Sequence, residues 1–309
     1  MKQAMRAKPF IKWVGGKGQL LQQLEQAFPD RIYEEEFVYL EPFVGGGAML
    51  FYMMQQFTNI RKVVINDINS NLMCTYSVIK NNVYALVSSL KMLEREYLSI
   101  ASEEGRKDFY LSMRTRFNEE ALDNVERASL LIFLNRTCFN GLYRENLKGK
   151  FNVPFGKYEN PTICNEDLLY TDSELLNEKD VVIMNGDFTA TLSEVEESSL
   201  NFFYFDPPYR PLSATSSFNS YVKEEFNDER QRELSMFCRE LSTRDNCLWM
   251  LSNSDCSSLN PNDTFFENIF KGFNFQRVYA ARSVNAVASK RGKLSELLIR
   301  NYRGERVYV

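Results

Sequence analysis

Four short apolar runs along the chain each end on an acid. They are "FVYLE" (37–41), "KVVINDIN" (62–69), "DVVIMNGDF" (180–188) and "NFFYFDPPY" (201–209), and they close on Glu41, Asp67, Asp187 and Asp206. A fifth run, "NCLWMLSN" (246–253), ends on hydroxyl and amide groups. Runs of this length, rich in β-branched and aromatic residues, predict buried strands. The first leads through "PFVGGGAMLFYMMQQF" into a helical pattern, and "EEFNDERQRELSMFCRELS" (224–242) is an amphipathic helix between the last two strands. Alternation of strand and helix predicts a parallel α/β sheet. Residues 70 to 137 carry few Gly or Pro and read as helical. Residues 138 to 161, with an Asn-Gly pair, aromatics and cations, read as a hairpin or exposed loop. An acidic linker is expected to follow, up to residue 180. "NFQRVYA" and "ELLIRNY" near the end are expected to supply edge strands.

In an open α/β sheet, ligands bind beyond the carboxyl ends of the strands. A lone acid there is usually a helix cap, but four acids beside a glycine loop define a site. In "PFVGGGAML", Gly45 and Gly47 let backbone approach a ligand closely. The loop is not a full dinucleotide fingerprint, because Leu50 stands where the third glycine belongs. Asp67, at the end of the next strand, is placed to bond the hydroxyl pair of a ribose. "WVGGKGQL" (13–20) is not a phosphate loop, since Ile11 and Gly18 occupy the positions of its first Gly and its Ser/Thr.

Composition narrows the chemistry. The 309 residues are long for one core and predict a large domain with a smaller inserted one. There is no histidine, which excludes histidine bases, triads and metal ligands. The six cysteines form no C-x-x-C pair and read as free thiols of a cytoplasmic protein. The start lacks a signal-peptide core, and no apolar run is long enough to cross a membrane. The formal charge of −4 argues against a general polyanion binder, yet cations concentrate in two places. Arg277 to Arg306 holds eight Lys/Arg against two Glu, and Arg136 to Lys157 holds five against one. Such patches bind a polyanion locally.

Phe43, Gly45 and Gly47 after a strand, Asp67 at the second strand and Asp-Pro-Pro-Tyr at a later one form the signature of amino-group methyltransferases that use S-adenosylmethionine. "KWVGGKGQL" at the start, "RTCFNGLYRENLKGKFNVPFGKY" in the middle and "ARSVNAVASKRGKLSELLIRNY" near the end complete a more specific pattern. Over nearly its full length the chain resembles the Dam-type DNA adenine-N6 methyltransferases, the D12 class. The resemblance implies a Rossmann-like S-adenosylmethionine-dependent methyltransferase sheet with an inserted helical and hairpin DNA-recognition domain. Residues 1–74 and 165–309 would form the catalytic domain and 75–164 the insert, its hairpin at 138–157.

The chemistry suits those residues. Adenine N6 is a poor nucleophile because its lone pair is delocalised into the ring. Acceptors on both amino hydrogens localise that pair. Asp206 offers a carboxylate, Pro207 a carbonyl without a competing N–H, and Tyr209 a π-face for the base. The base must leave the duplex to reach them. By the resemblance, Trp13 and Lys17 help hold the cofactor. Glu41, Phe43, Gly45 and Gly47 wrap its methionine part, Asp67 its ribose, and Asp187 with Phe188 its adenine, while Asp206 lies between cofactor and target. Phe139 wedges into the gap left by the flipped base, with Asn140 beside it. Leu142, Arg144 and Pro154 meet base edges, Lys12 a guanine and Lys157 a phosphate. The implied partner is double-stranded DNA, the implied site GATC, and no obligate protein partner or metal is expected of this monomer. Phe139 replaces the family's tyrosine and drops a hydroxyl. Other acceptors (cytosine N4, RNA adenine, a glutamine side chain) stay open, as does a non-catalytic DNA-binding role. Asp before Pro-Pro-Tyr and the Dam-like hairpin count against the first, and the intact set Asp67, Asp187 and Asp206 against the second.

Overall fold

The computed structural model describes residues 5–18, 20–211, 226–258, 260–280 and 294–303. In chain order the strands are β1 (Phe37–Glu41), β2 (Ile60–Asp67), β3 (Asp180–Asn185), β4 (Leu200–Phe205), β5 (Cys247–Ser254), β6 (Asn274–Ala280) and β7 (Leu294–Arg300). They form one seven-stranded sheet in the order β3-β2-β1-β4-β5-β7-β6. β1 to β5 are mutually parallel, and β7 runs antiparallel to both neighbours. Period-2 alternation sends successive side chains to opposite faces. Tyr39, Val63, Ile65, Phe202 and Tyr204 face one apolar core. Val38, Leu40, Val64, Phe203, Phe205 and Trp249 face the other.

The helices are α1 (Leu21–Glu25), α2 (Arg31–Glu34), α3 (Ala48–Gln56), α4 (Ser70–Ser99), α5 (Glu103–Glu119), α6 (Asn124–Thr137), α7 (Glu166–Glu178), α8 (Asp228–Leu241) and α9 (Phe265–Ile269). Side-chain caps set the longer starts: Asn69 accepts from Leu72 N, Ser102 from Gly105 N, and Asp123 with Glu126 forms a capping box. α6 is buried almost all round, from Ala128 to Asn135, and is the centre of the helical layer. The sequence boundary after residue 74 falls within α4, whose only non-helical residue is Asn82. The core of this layer is continuous with one face of the sheet. None of these helices is long and apolar enough to cross a membrane.

Three expectations need correction. The acidic linker before residue 180 is helix α7, which buries Leu168, Leu169, Leu175 and Leu176 behind an acidic first turn. β7 is not an edge strand, because it inserts between β5 and β6. β3 is not fully buried: it is the sheet's outer strand, with both ends exposed. Isolated antiparallel bridges Cys138–Phe155 and Glu145–Phe151 bring residues 138–157 back on themselves. All six cysteines are free. Residues 281–293 of the tail motif (281–302), and with them much of the C-terminal basic patch, lie outside the described residues.

Candidate active site

β3, β2, β1 and β4 are consecutive and parallel, so their carboxyl ends share one sheet edge. Asp187, Asp67, Glu41 and Asp206 follow in that spatial order, and three strand spacings put the row's ends roughly 14 Å apart. Between β1 and β4 the strand order reverses direction, the crevice where ligands enter such sheets. Asn66 ties the edge together, donating to Pro42 O at 3.1 Å and Gly186 O at 3.0 Å.

Each acid has a distinct electrostatic setting. Glu41 is 2 % exposed and accepts from the Tyr39 hydroxyl at 2.7 Å. Burial pushes its carboxyl well up, the Tyr39 bond opposes this, and the nearby Asp206 charge adds to it. Asp67 is raised by burial against the pull of the amides it accepts from, Asn69 N at 2.9 Å and Gly45 N at 3.1 Å. For Asp187 burial is outweighed by the Thr189 hydroxyl and amide and by Arg230, and its carboxyl sits below the usual range. Asp206 is raised, because burial exceeds the opposing effect of Lys17 and Ser252.

Around Asp206 the polar groups converge. Lys17, 5 % exposed, places Nζ 2.8 Å from Asp206 Oδ1, 2.9 Å from Gly15 O and 4.0 Å from Glu296 Oε2. Ser252, on β5, donates to the same Asp206 oxygen at 3.0 Å. Oδ2 accepts from none of the described residues. Gln231 occupies the Pro208 carbonyl at 3.1 Å, whereas no described donor bonds that of Pro207. The Tyr209 ring lies 4.5 Å from the Lys17 ammonium, and its hydroxyl donates to Glu296 at 2.6 Å. The turn thus presents a carboxylate oxygen, a carbonyl and an aromatic face together, an array that can grip an amino group on a planar ring.

Gly45 and Gly47 turn the chain from β1 into α3 with φ of 48° and 78°. A Cβ on Gly45 would meet the Trp13 indole at 2.9 Å, and one on Gly47 would strike the Tyr76 hydroxyl. The loop is therefore a glycine-only cradle. Phe43 and Phe188 flank it with ring centres 5.4 Å apart, Phe188 itself being buried. Trp13 stacks on Tyr143 of the hairpin segment at 5.0 Å, so the N-terminal segment links cradle and hairpin. Asn135 reinforces that link, accepting from Lys12 N and donating to the carbonyls of Lys12 and Gly141.

On the hairpin, Phe139 is 51 % exposed and its amide bonds Pro154 O at 2.8 Å, which sets these two residues side by side. Asn140 adopts the left-handed conformation (φ 57°) and donates from its amide to Tyr158 Oη. Lys12 packs against Gly141, with Nζ 6.0 Å from the Tyr158 ring. Leu142 is half-buried against the core. Arg144 is exposed and bonded to Asn152 Oδ1 at 2.7 Å. Lys157 stands apart, paired with Glu103 of α5 at 2.7 Å. Internal partners shrink both basic patches: Lys150 pairs with Glu119, Arg136 bonds Phe10 O, Arg277 pairs with Asp255, and Arg300 is buried on Ala27 O. A cavity of about 630 Å³ beside Trp13 and Lys12 is lined by none of the four strand-end acids. The sequence reading missed Ser252 and Glu296. The polar end of the fifth strand, "SN", was a signal for the first, but nothing local marks the second.

A glycine cradle after β1, strand-end acids, and a β7 inserted antiparallel beside β5 define a Rossmann-like methyltransferase. The family described as "D12 class N6 adenine-specific DNA methyltransferase" matches residues 13–284. The chain belongs to this family. It is 48% identical over 302 residues to the Type II methyltransferase M.MjaIII of Methanocaldococcus jannaschii, covering 96% of this chain and 100% of that one. It is 38% identical over 304 residues to the Type II methyltransferase M1.LlaDCHI of Lactococcus lactis (97% and 98% covered). It is 30% identical over 298 residues to the DNA adenine methylase of Haemophilus influenzae (96% and 95% covered). The D12 class methylates adenine N6 in DNA with S-adenosylmethionine as methyl donor. The cradle that a Cβ would fill, and the acids beside it, fit that cofactor.

Proposed function

We propose that this enzyme methylates N6 of an adenine flipped out of GATC in duplex DNA. The observation that carries the reading is Asp206: Lys17 and Ser252 hold Oδ1, and among the described residues none occupies Oδ2, which is left to accept. Asp206 Oδ2 and the Pro207 carbonyl take the two amino hydrogens and localise the nitrogen lone pair, and Tyr209 packs on the base. Bound S-adenosylmethionine supplies an electrophilic methyl group. Trp13 and Lys17 help hold this cofactor, Glu41, Phe43, Gly45 and Gly47 wrap its methionine part, Asp67 its ribose, and Asp187 with Phe188 its adenine. Asp67 suits this role because each of its oxygens keeps a lone pair beyond the amide it accepts from.

The exposed Phe139 ring, on a turn stiffened by Asn140, supports its reading as the wedge that fills the vacated stack. Leu142, Arg144, Pro154 and Lys12 read base edges, and Lys157 exchanges Glu103 for a phosphate. Residues 1–74 and 165–309 carry catalysis and 75–164 target recognition; the shared core supports their acting as one body. We place the enzyme in the cytoplasm, acting as a monomer. The two Type II relatives support a restriction–modification setting.

The test is transfer of labelled methyl from S-adenosylmethionine to two duplexes, one with a single GATC and one with it scrambled, followed by nucleoside analysis. Label in N6-methyladenine on the GATC duplex alone is expected. Label on both duplexes would refute the site, and label on cytosine the target atom.

A further inference from the structure

Tyr209 and Glu296 are 87 residues apart in sequence. Glu296 lies within β7, opposite Ser254 of β5 and Val278 of β6, so two neighbouring strands fix its backbone. Its side chain is 12% exposed, and Oε2 both accepts the Tyr209 hydroxyl at 2.6 Å and lies 4.0 Å from Lys17 Nζ. The Lys17 ammonium in turn sits 4.5 Å from the centre of the Tyr209 ring and 2.8 Å from Asp206. A tyrosine ring has two soft torsions. Anchoring the hydroxyl restrains the first, because the oxygen lies on the axis of the second. A cation against the ring restrains the second, because the attraction needs the face and not the edge. One face is thus taken by Lys17, so a planar partner would have to pack on the opposite face.

We infer that Glu296 is a positioning residue that, with Lys17, fixes the Tyr209 ring so that one face is presented to the target base. The inference rests on the proposed packing of the base on Tyr209. Glu296 touches neither base nor cofactor in this role. It acts through the tyrosine hydroxyl, and its carboxylate also gives Lys17 a second anion, so that Lys17 is shared between Asp206 and Glu296.

The experiment compares E296A, E296Q, Y209F, Y209A and the double variant E296A/Y209F in the full-length enzyme. Readouts are kcat and KM on the GATC duplex, fluorescence of 2-aminopurine at the target position, and thermal midpoint. Losing a buried hydrogen bond to a charged acceptor predicts that E296A and Y209F each lower kcat about tenfold, with KM changed less than about threefold. The double variant falls no further than the worse single variant, and E296Q recovers most of the loss, because its amide oxygen still accepts the hydroxyl. A double variant that loses the product of the two single effects, or an E296Q as impaired as E296A, overturns the inference. Y209A separates the two layers. If it leaves kcat and fluorescence unchanged, the packing of the base on Tyr209 is wrong. If it lowers both while E296A lowers neither, only the role of Glu296 falls.

Discussion

Replacing Lys17 by methionine removes one charge from the centre of the site while keeping chain length. At 2.8 Å the attraction to Asp206 is about 6 kcal/mol with an effective dielectric constant of 20. Desolvation of the ammonium offsets part of this, and breaking a buried pair costs about 3–5 kcal/mol. Asp206 keeps Ser252 and is 20% exposed, which places the loss at the lower end. Were all of roughly 3 kcal/mol felt at the transition state, kcat/KM would fall about a hundredfold, which sets the upper bound. The direction with pH follows from the same geometry. Burial raises the Asp206 carboxyl and Lys17 holds it down, so in K17M it rises further. An uncharged Asp206 accepts less well, so the acid limb of the rate profile moves to higher pH and the deficit deepens as pH falls. The assay is single-turnover methyl transfer across pH 5 to 9, a range of about four units around neutrality, with wild type alongside. A loss under about threefold with an unmoved acid limb would show that the Lys17 charge does not act on Asp206 during transfer.

Arg144→Ala is expected to cost about 1–3 kcal/mol of discrimination at one base position, measured as rate ratios on single-substituted duplexes. Lys157→Ala should instead weaken binding to every sequence and flatten its salt dependence, seen in affinity against salt concentration. Gly47→Ala forces a left-handed residue and drives a methyl group into the Tyr76 hydroxyl, so weaker cofactor binding in calorimetry is expected. Asp172 is buried, accepts only Lys8 N at 3.1 Å, and has Oδ2 unpaired among the described residues; burial pushes its carboxyl up to about 8. The unfolded chain loses this proton near its ordinary value of about 4 and the fold keeps it to about 8, so stability falls as pH rises through that window. Asp172→Asn should remove a slope of up to about 1.4 kcal/mol per pH unit, read from denaturant midpoints between pH 5 and 8, roughly the middle of that window.

The acids of the site were legible because parallel strands announce their carboxyl ends in sequence: an apolar run, then Glu41, Asp67 or Asp206. The glycine cradle was legible for the same reason, since Gly45 and Gly47 follow such a run directly. Helix α7 was hidden by its acidic first turn, although Leu168, Leu169, Leu175 and Leu176 repeat at a seven-residue interval that marks one helical face. The place of β7 depends on pairing partners far away in the chain, yet its run Leu297–Leu298–Ile299, buried on both faces, is the pattern of an interior strand. Glu296 had no local signal, because its meaning comes from Tyr209 across the sheet edge. Charge was the least legible property. Arg277, Lys150 and Lys157 count toward basic patches in sequence but are paired with carboxylates in the fold.

On the proposed mechanism Asp206 makes adenine N6 reactive and is not needed to hold DNA. The most direct measurement is methyl transfer and duplex affinity in the same samples of Asp206→Ala, with S-adenosylmethionine and a GATC duplex. Duplex affinity within about threefold of wild type and transfer reduced to background are expected, since the lost carboxylate acts on the reacting nitrogen and on Lys17 rather than on the DNA. Transfer at an appreciable fraction of the wild-type rate would mean that Asp206 is not the activating group.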